Sequence, residues 1–173
     1  MGTFGFKKSI DDIEEPVLLP EDWYDFEILS EPKVRPNYDL YQEVGDDPSP
    51  EQMEELMKEN PKMFQNIEIF MSTESPDPMY AGRKFTFRLP WPSDSDEDRY
   101  DNNGMKLYDA RMRDISKFAE AFGGGADGDT VNIPKGGKGC AYVKILPAGT
   151  IDGVDEDRNT IDRFAGFKPY GER

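Results

Sequence analysis

The chain has 173 residues, a formal net charge of −15, one cysteine and no histidine. The missing histidine removes His-based acid–base catalysis, Ser–His and Cys–His nucleophile pairs and nearly every structural zinc site, and a lone Cys140 excludes an internal disulfide. With no metal or cofactor motif in their place, the expectation is a non-enzymatic protein.

The length suits one domain, residues 1–173, with an extended N-terminal arm over 1–16. The longest aliphatic runs are as short as Val17-Leu18-Leu19, far below the roughly 20 residues that span a bilayer. No apolar signal core follows Lys7 and Lys8, so a cytoplasmic protein without membrane contact is the default. The charge is uneven. Residues 1–60 hold 17 acids against 5 bases, and residues 94–101 hold 5 against 1. Residues 61–93 and 102–150 together carry 11 bases against 8 acids. The negative total therefore describes the N-terminal third and some loops, not the centre.

"WYDFEIL" (23–29) alternates, with Tyr24, Phe26 and Ile28 on one face, which predicts a first half-buried strand. "EPKVRPN" breaks it with two prolines. An acidic insertion follows over 38–65. Within it Ser49, Pro50 and Gln52 supply an N-cap, an N1 proline and a capping box, so a short helix is predicted to run to about Asn60. "QNIEIFM" (65–71) predicts a second strand and "RKFTFRL" (83–89) a third, closed by Pro90 and Pro92. "SDSDEDRYDNNG" reads as a loop. Its acids lack the glycine and final glutamate of a calcium loop, so no metal is assigned.

Met105, Tyr108, Met112, Ile115, Ala119 and Phe122 then step by three and four residues, predicting one amphipathic helix of about five turns. "GGGADGD" stops it. "PKGGKG" (134–139) lacks phosphate-loop spacing and reads as a glycine turn. "CAYVKIL" (140–146) predicts a fourth strand and "TIDRFAGF" (160–167) a fifth. The expected class is mainly β with one main helix. Five strands with the helix between the third and fourth match a five-stranded OB-fold barrel.

Four stretches carry a resemblance: "LLPEDWYDFEILSEPKV", "YAGRKFTFRLPW", "RDISKFAEAFG", and "GKGCAYVKI" followed by "RNTIDRFAGFKP". In their order and spacing they resemble the small phage-encoded proteins known as the DUF669 family. These are viewed as OB-fold single-stranded-DNA-binding proteins of phage replication or recombination modules. The resemblance implies single-stranded DNA as ligand, phage or host replication and recombination proteins as partners, and no catalytic residue. It leaves self-association open.

Strand parity marks the expected binding face. Phe85, Phe87 and Leu89 should fill the core, leaving Lys84 and Arg88 outward, with Arg83 just before them. Phe70, Tyr142, Lys144 and Trp23 also oppose their strands' core positions, and Trp91 lies just beyond the third strand. Lys135 and Lys138 flank the glycine turn. Outward aromatics interleaved with cations suit single-stranded nucleic acid, because bases stack on rings while Lys and Arg neutralise phosphates. The same pattern also fits a solvated cationic face, or a non-catalytic protein-interaction OB domain in a virion or adaptor.

Overall fold

The computed structural model describes residues 2–14, 17–36, 49, 51–52, 55, 65–151 and 153–173. It is mainly β with one main helix. Seven antiparallel strands form one sheet, and a two-stranded hairpin stands apart from it. The strands are β1 (Asp22–Ile28), β2 (Lys33–Pro36), β3 (Gln65–Glu74), β4 (Lys84–Trp91), β7 (Lys138–Leu146), β8 (Arg158–Ile161) and β9 (Phe167–Pro169). The hairpin is β5 (Gly125–Asp127) with β6 (Thr130–Asn132), and the helix is α1 (Leu107–Ala121).

The alternating sequences behave as their period requires. On β1, Tyr24, Phe26 and Ile28 are buried, and on β4, Phe87 and Leu89 are buried while Lys84, Thr86 and Arg88 are exposed. Phe85 is half-buried and packs edge-on against Phe26, at 5.5 Å between ring centres. Each inward apolar chain removes on the order of 1.5–3 kcal/mol of exposed surface energy. The register between β1, β3, β4 and β7 is therefore fixed, because a one-residue slip would expose the whole set.

Several short elements differ from the sequence expectation. "EPKVRPN" is not only a break, since Lys33–Pro36 pairs with β3. With β4 along one edge of β3, β1 and β2 share its other edge. The predicted fifth strand is two, β8 and β9, split by a 3-10 turn at Arg163–Ala165. Pro90 lies inside β4, where it pairs with Asn66. "GGGADGD" does not merely stop the helix but opens the β5/β6 hairpin. Ser49 and Gln52 do form the reciprocal capping bonds, at 2.9 and 3.2 Å. The end of that helix near Asn60, and most of the 38–65 insertion, lie outside the described residues.

The helix stripe is rotated from the expected one. Ile115, Ala119 and Phe122 are buried, but so are Ala110 and Phe118, whereas Met112 is exposed and Tyr108 only half-buried. Phe118 stacks on Phe122 at 4.3 Å and meets Phe167 of β9 edge-on at 4.9 Å. This aromatic cluster seats α1 on the inner face of the sheet and draws the stripe toward Phe118.

The sheet is not closed into a barrel. Its path ends at β8, and β4 pairs only with β3. Residues 17–19 bridge the gap instead. Arg83 Nη1 donates to the Val17 carbonyl at 2.8 Å. Leu19 N–H donates to Asn159 Oδ1 at 2.8 Å, and Asn159 Nδ2 donates back to the Leu19 carbonyl at 2.9 Å. The stretch "SDSDED", expected as loop, forms a 3-10 turn at Asp94–Asp98 and is fastened to α1 through Asp96. This buried carboxylate accepts from Ser93 N–H at 3.0 Å and from Arg111 Nη1 at 2.7 Å. A pair so buried would leave an uncompensated charge if cut, at a cost of about 3–5 kcal/mol.

Candidate nucleic-acid interface

The outer face of the sheet has cations toward its flanks and acids in its middle. Asp25 and Glu27 on β1 share this face with Glu68 and Glu74 on β3, and Asp25 lies directly opposite Glu74. These acids partner two of the cations that the sequence marks as binding residues, Arg88 and Lys138. Arg88 Nε lies 3.1 Å from Glu68, which Arg35 also approaches at 4.0 Å. Lys138 Nζ lies 2.8 Å from Glu74. The Lys138 ammonium, by its hydrogen bond, holds the Glu74 carboxyl below the usual carboxylate range, and Glu74 in turn raises Lys138.

Residues 170–173 complete the cover over the middle. Tyr170 donates its hydroxyl to Glu74 at 2.8 Å, Gly171 N–H donates to Asp25 at 2.9 Å, and Arg173 Nε lies 3.1 Å from Asp25. Cys140 Sγ donates to the same carboxylate. Burial, then that hydrogen bond, pushes the Cys140 thiol up to about 11. It is a buried thiol, far from the low range of a nucleophile.

The expected site residues fall into separate places. Phe70 is exposed and pairs with Thr86, so Lys84 and Arg88 flank it diagonally on β4. Lys84 has no ion-pair partner among the described residues. Trp23 and Tyr142 face each other across β1 and β7, ring centres 5.6 Å apart. Phe70 is level with Leu29, whose N–H it accepts, six positions along from Trp23. At roughly 3.3 Å per residue the two aromatic sites are about 20 Å apart. Arg83 is not free for phosphate, since its guanidinium binds the Val17 and Met79 carbonyls. Lys135 is exposed on the turn, and Lys144 lies 3.8 Å from Asp162. Trp91 is half-buried against the core and walls a cavity beside α1.

The Trp23 end carries more than the sequence suggested. The β8 ladder is extended by Asp162 N–H, which donates to the Tyr142 carbonyl at 2.8 Å. The Asp162 carboxylate then accepts from Phe164 N–H at 3.0 Å and sets the 3-10 turn. Gly166 follows at φ 78°, a conformation only glycine adopts without strain. The chain thus turns back as β9 onto β7, with Lys168 opposite Cys140. Its ammonium sits 4.2 Å from the Trp23 ring centre. Phe164 is left 82% exposed, under the Arg163 guanidinium at 4.8 Å.

A groove of about 970 Å³ runs from Trp23 between α1 and the Arg163–Pro169 segment. Arg113, Lys117, Arg163 and Lys168 line it as cations, with Asp101, Asp114 and Glu120 as acids. Arg111 also lines it, but holds Asp96. Lys168, Arg163 and Phe164 escaped the sequence reading because a fifth strand over 160–167 hid the turn. The available signal was "DRFAGFK", two aromatics and two cations around a turn-forming glycine. No helix among the described residues is long and apolar enough to cross a membrane. No family model, curated protein or solved structure matches the chain.

Proposed function

We propose that the protein binds single-stranded DNA without base-sequence preference, through Trp23, Tyr142 and Lys168 and the groove beyond them. The observation that carries this reading is Lys168 held 4.2 Å over Trp23, beside Tyr142, at the mouth of a groove with exposed Phe164 and further cations. Rings and cations alternating over such a span offer what a flexible strand presents: base faces to stack and phosphates to neutralise. Nothing in the arrangement requires a particular base edge.

The finer fold reading belongs to the same proposal. The strand order β4, β3, β1, β7, β8 suits an OB-fold left open between β4 and β8, with residues 17–19 bridging the seam. With it goes the DUF669-like role in a phage replication or recombination module of the host cytoplasm, resting on the four sequence stretches. The role is non-catalytic.

A second reading has its own support. The covered acids of the sheet's outer face, and the exposed Phe4, Phe6, Ile10 and Ile13 of the arm, would suit a protein-interaction domain of a virion or adaptor. Fluorescence polarisation with labelled single- and double-stranded oligonucleotides across a salt series separates the two. Three to five neutralised phosphates predict a log–log salt slope of roughly −2 to −3.5 on single strands. Binding with no preference for single strands, or none at all, supports the second reading.

A further inference from the structure

We propose that the cavity beside Trp91 accepts one unstacked nucleobase from a strand lying in the adjoining groove. The proposal rests on the single-strand-binding reading and adds a subsite to it.

The cavity has a volume of about 310 Å³. Ligand sites begin near 300 Å³, so this one has room for a single base rather than a run of them. One wall is Trp91 at the end of β4, another is Tyr108 and Met112 of α1, and the third is the β5/β6 hairpin. The hairpin's base is set by contact. A Cβ on Gly124 would clash with the Asn132 carbonyl, so the backbones cross where no side chain fits. Its tip turns at Gly128, φ 62°. The hairpin therefore stands over α1 without closing on it, which is why Tyr108 and Met112 line a hollow instead of joining the core.

The lining chemistry matches a base. The interior offers two aromatic rings and aliphatic surface, which suit the ring faces. Arg113 and Asp129 at the margin offer a donor and an acceptor for polar edges. Arg113 also lines the cationic groove, so a phosphate held there would leave its base beside the cavity mouth. Unstacking one base from a single strand costs little, since no base pair has to break.

The sequence has only two tryptophans, one at each place, so emission can report on them separately. Trp23→Phe leaves Trp91 as the only reporter, and Trp91→Phe leaves Trp23. Each variant is titrated with a labelled 20-nucleotide thymidine strand and with a matched strand of abasic spacers, and polarisation follows binding in parallel. The expected result is that the thymidine strand quenches Trp91 by a third or more while the abasic strand, though bound, does not. Ala126→Leu, on an exposed hairpin position facing the cavity, fills the space. It should abolish the Trp91 response and keep that of Trp23. Binding of the thymidine strand with Trp91 emission unchanged, or an Ala126→Leu protein that still quenches at Trp91, overturns the subsite and leaves the groove reading standing. No binding of either strand to the native protein overturns the groove reading itself, and the subsite with it.

Discussion

The β2/β3/β4 end of the sheet and the Trp23 end both display an aromatic ring among cations, yet they differ in what surrounds those cations. Around Phe70, Arg88 and Arg35 share the buried carboxylate of Glu68, while Lys84 has no ion-pair partner among the described residues. Around Trp23, Lys168 lies on the ring itself and the groove leads on to Arg163 and Lys117. The lesson is that a cation's worth to a phosphate depends on its cross-strand neighbour. That neighbour is set by a pairing between residues distant in sequence. The free energy of counterion release is available only where an internal acid has not already replaced the counterion.

The largest effect should follow loss of the ring at the Trp23 end. Trp23→Ala removes a stacking platform, which should cost about 1–3 kcal/mol, or roughly five-fold or more in affinity for a single strand. Phe70→Ala should cost less than half as much in free energy, and equal losses would place both ends in one footprint. Polarisation at fixed salt measures both.

The next effect separates the cations. Arg163→Ala with Lys168→Ala should flatten the salt slope by about 1.4, from two lost phosphate contacts at about 0.7 each. Lys84→Ala with Arg88→Ala should flatten it by about 0.7 or less, because Glu68 already neutralises Arg88. Reversal of that order would move the site to β4. Smaller still, Glu68→Gln should release Arg88 and Arg35 and tighten binding about two-fold at low salt, with no gain at high salt.

The smallest effect concerns the covered middle. Glu74 is held below its ordinary value of 4.5 mainly by Lys138. A carboxyl lowered by folding stabilises the fold above its unfolded pKa, and that contribution fades as pH falls through the lower folded value. The native melting temperature should therefore drop slightly more between pH 7 and pH 3 than that of Glu74→Gln. Parallel pH profiles would contradict the pairing.

Much of the fold was legible in the sequence, whereas the contrast between the two ends has physical reasons for being hidden. A period of two over six or more residues made β1, β3, β4 and β7 readable and assigned Phe85 and Phe87 to the inside. Three- and four-residue strands such as β2, β6 and β9 carry too few alternations to show a period. Parity also showed Lys84, Arg88, Phe70, Tyr142 and Trp23 pointing outward, but it says nothing of the strand next door. The partners Glu68 of Arg88 and Glu74 of Lys138 are set by register, and one of the two carbonyls that occupy Arg83, that of Val17, comes from 66 residues away. Lys168 reaches Trp23 only because Gly166 turns the chain back onto β7. The rotation of the helix stripe toward Phe118 likewise depends on Phe167, which arrives from the far end of the chain.

Photocrosslinking maps the footprint most directly. A bromodeoxyuridine strand is irradiated on the native protein, and the adducts are located by mass spectrometry of the digest. The account predicts adducts on the peptides containing Trp23, Tyr142 and Phe164, with a lesser yield at Phe70. Adducts concentrated at Phe70, with the Trp23 and Phe164 peptides unmodified, would contradict it.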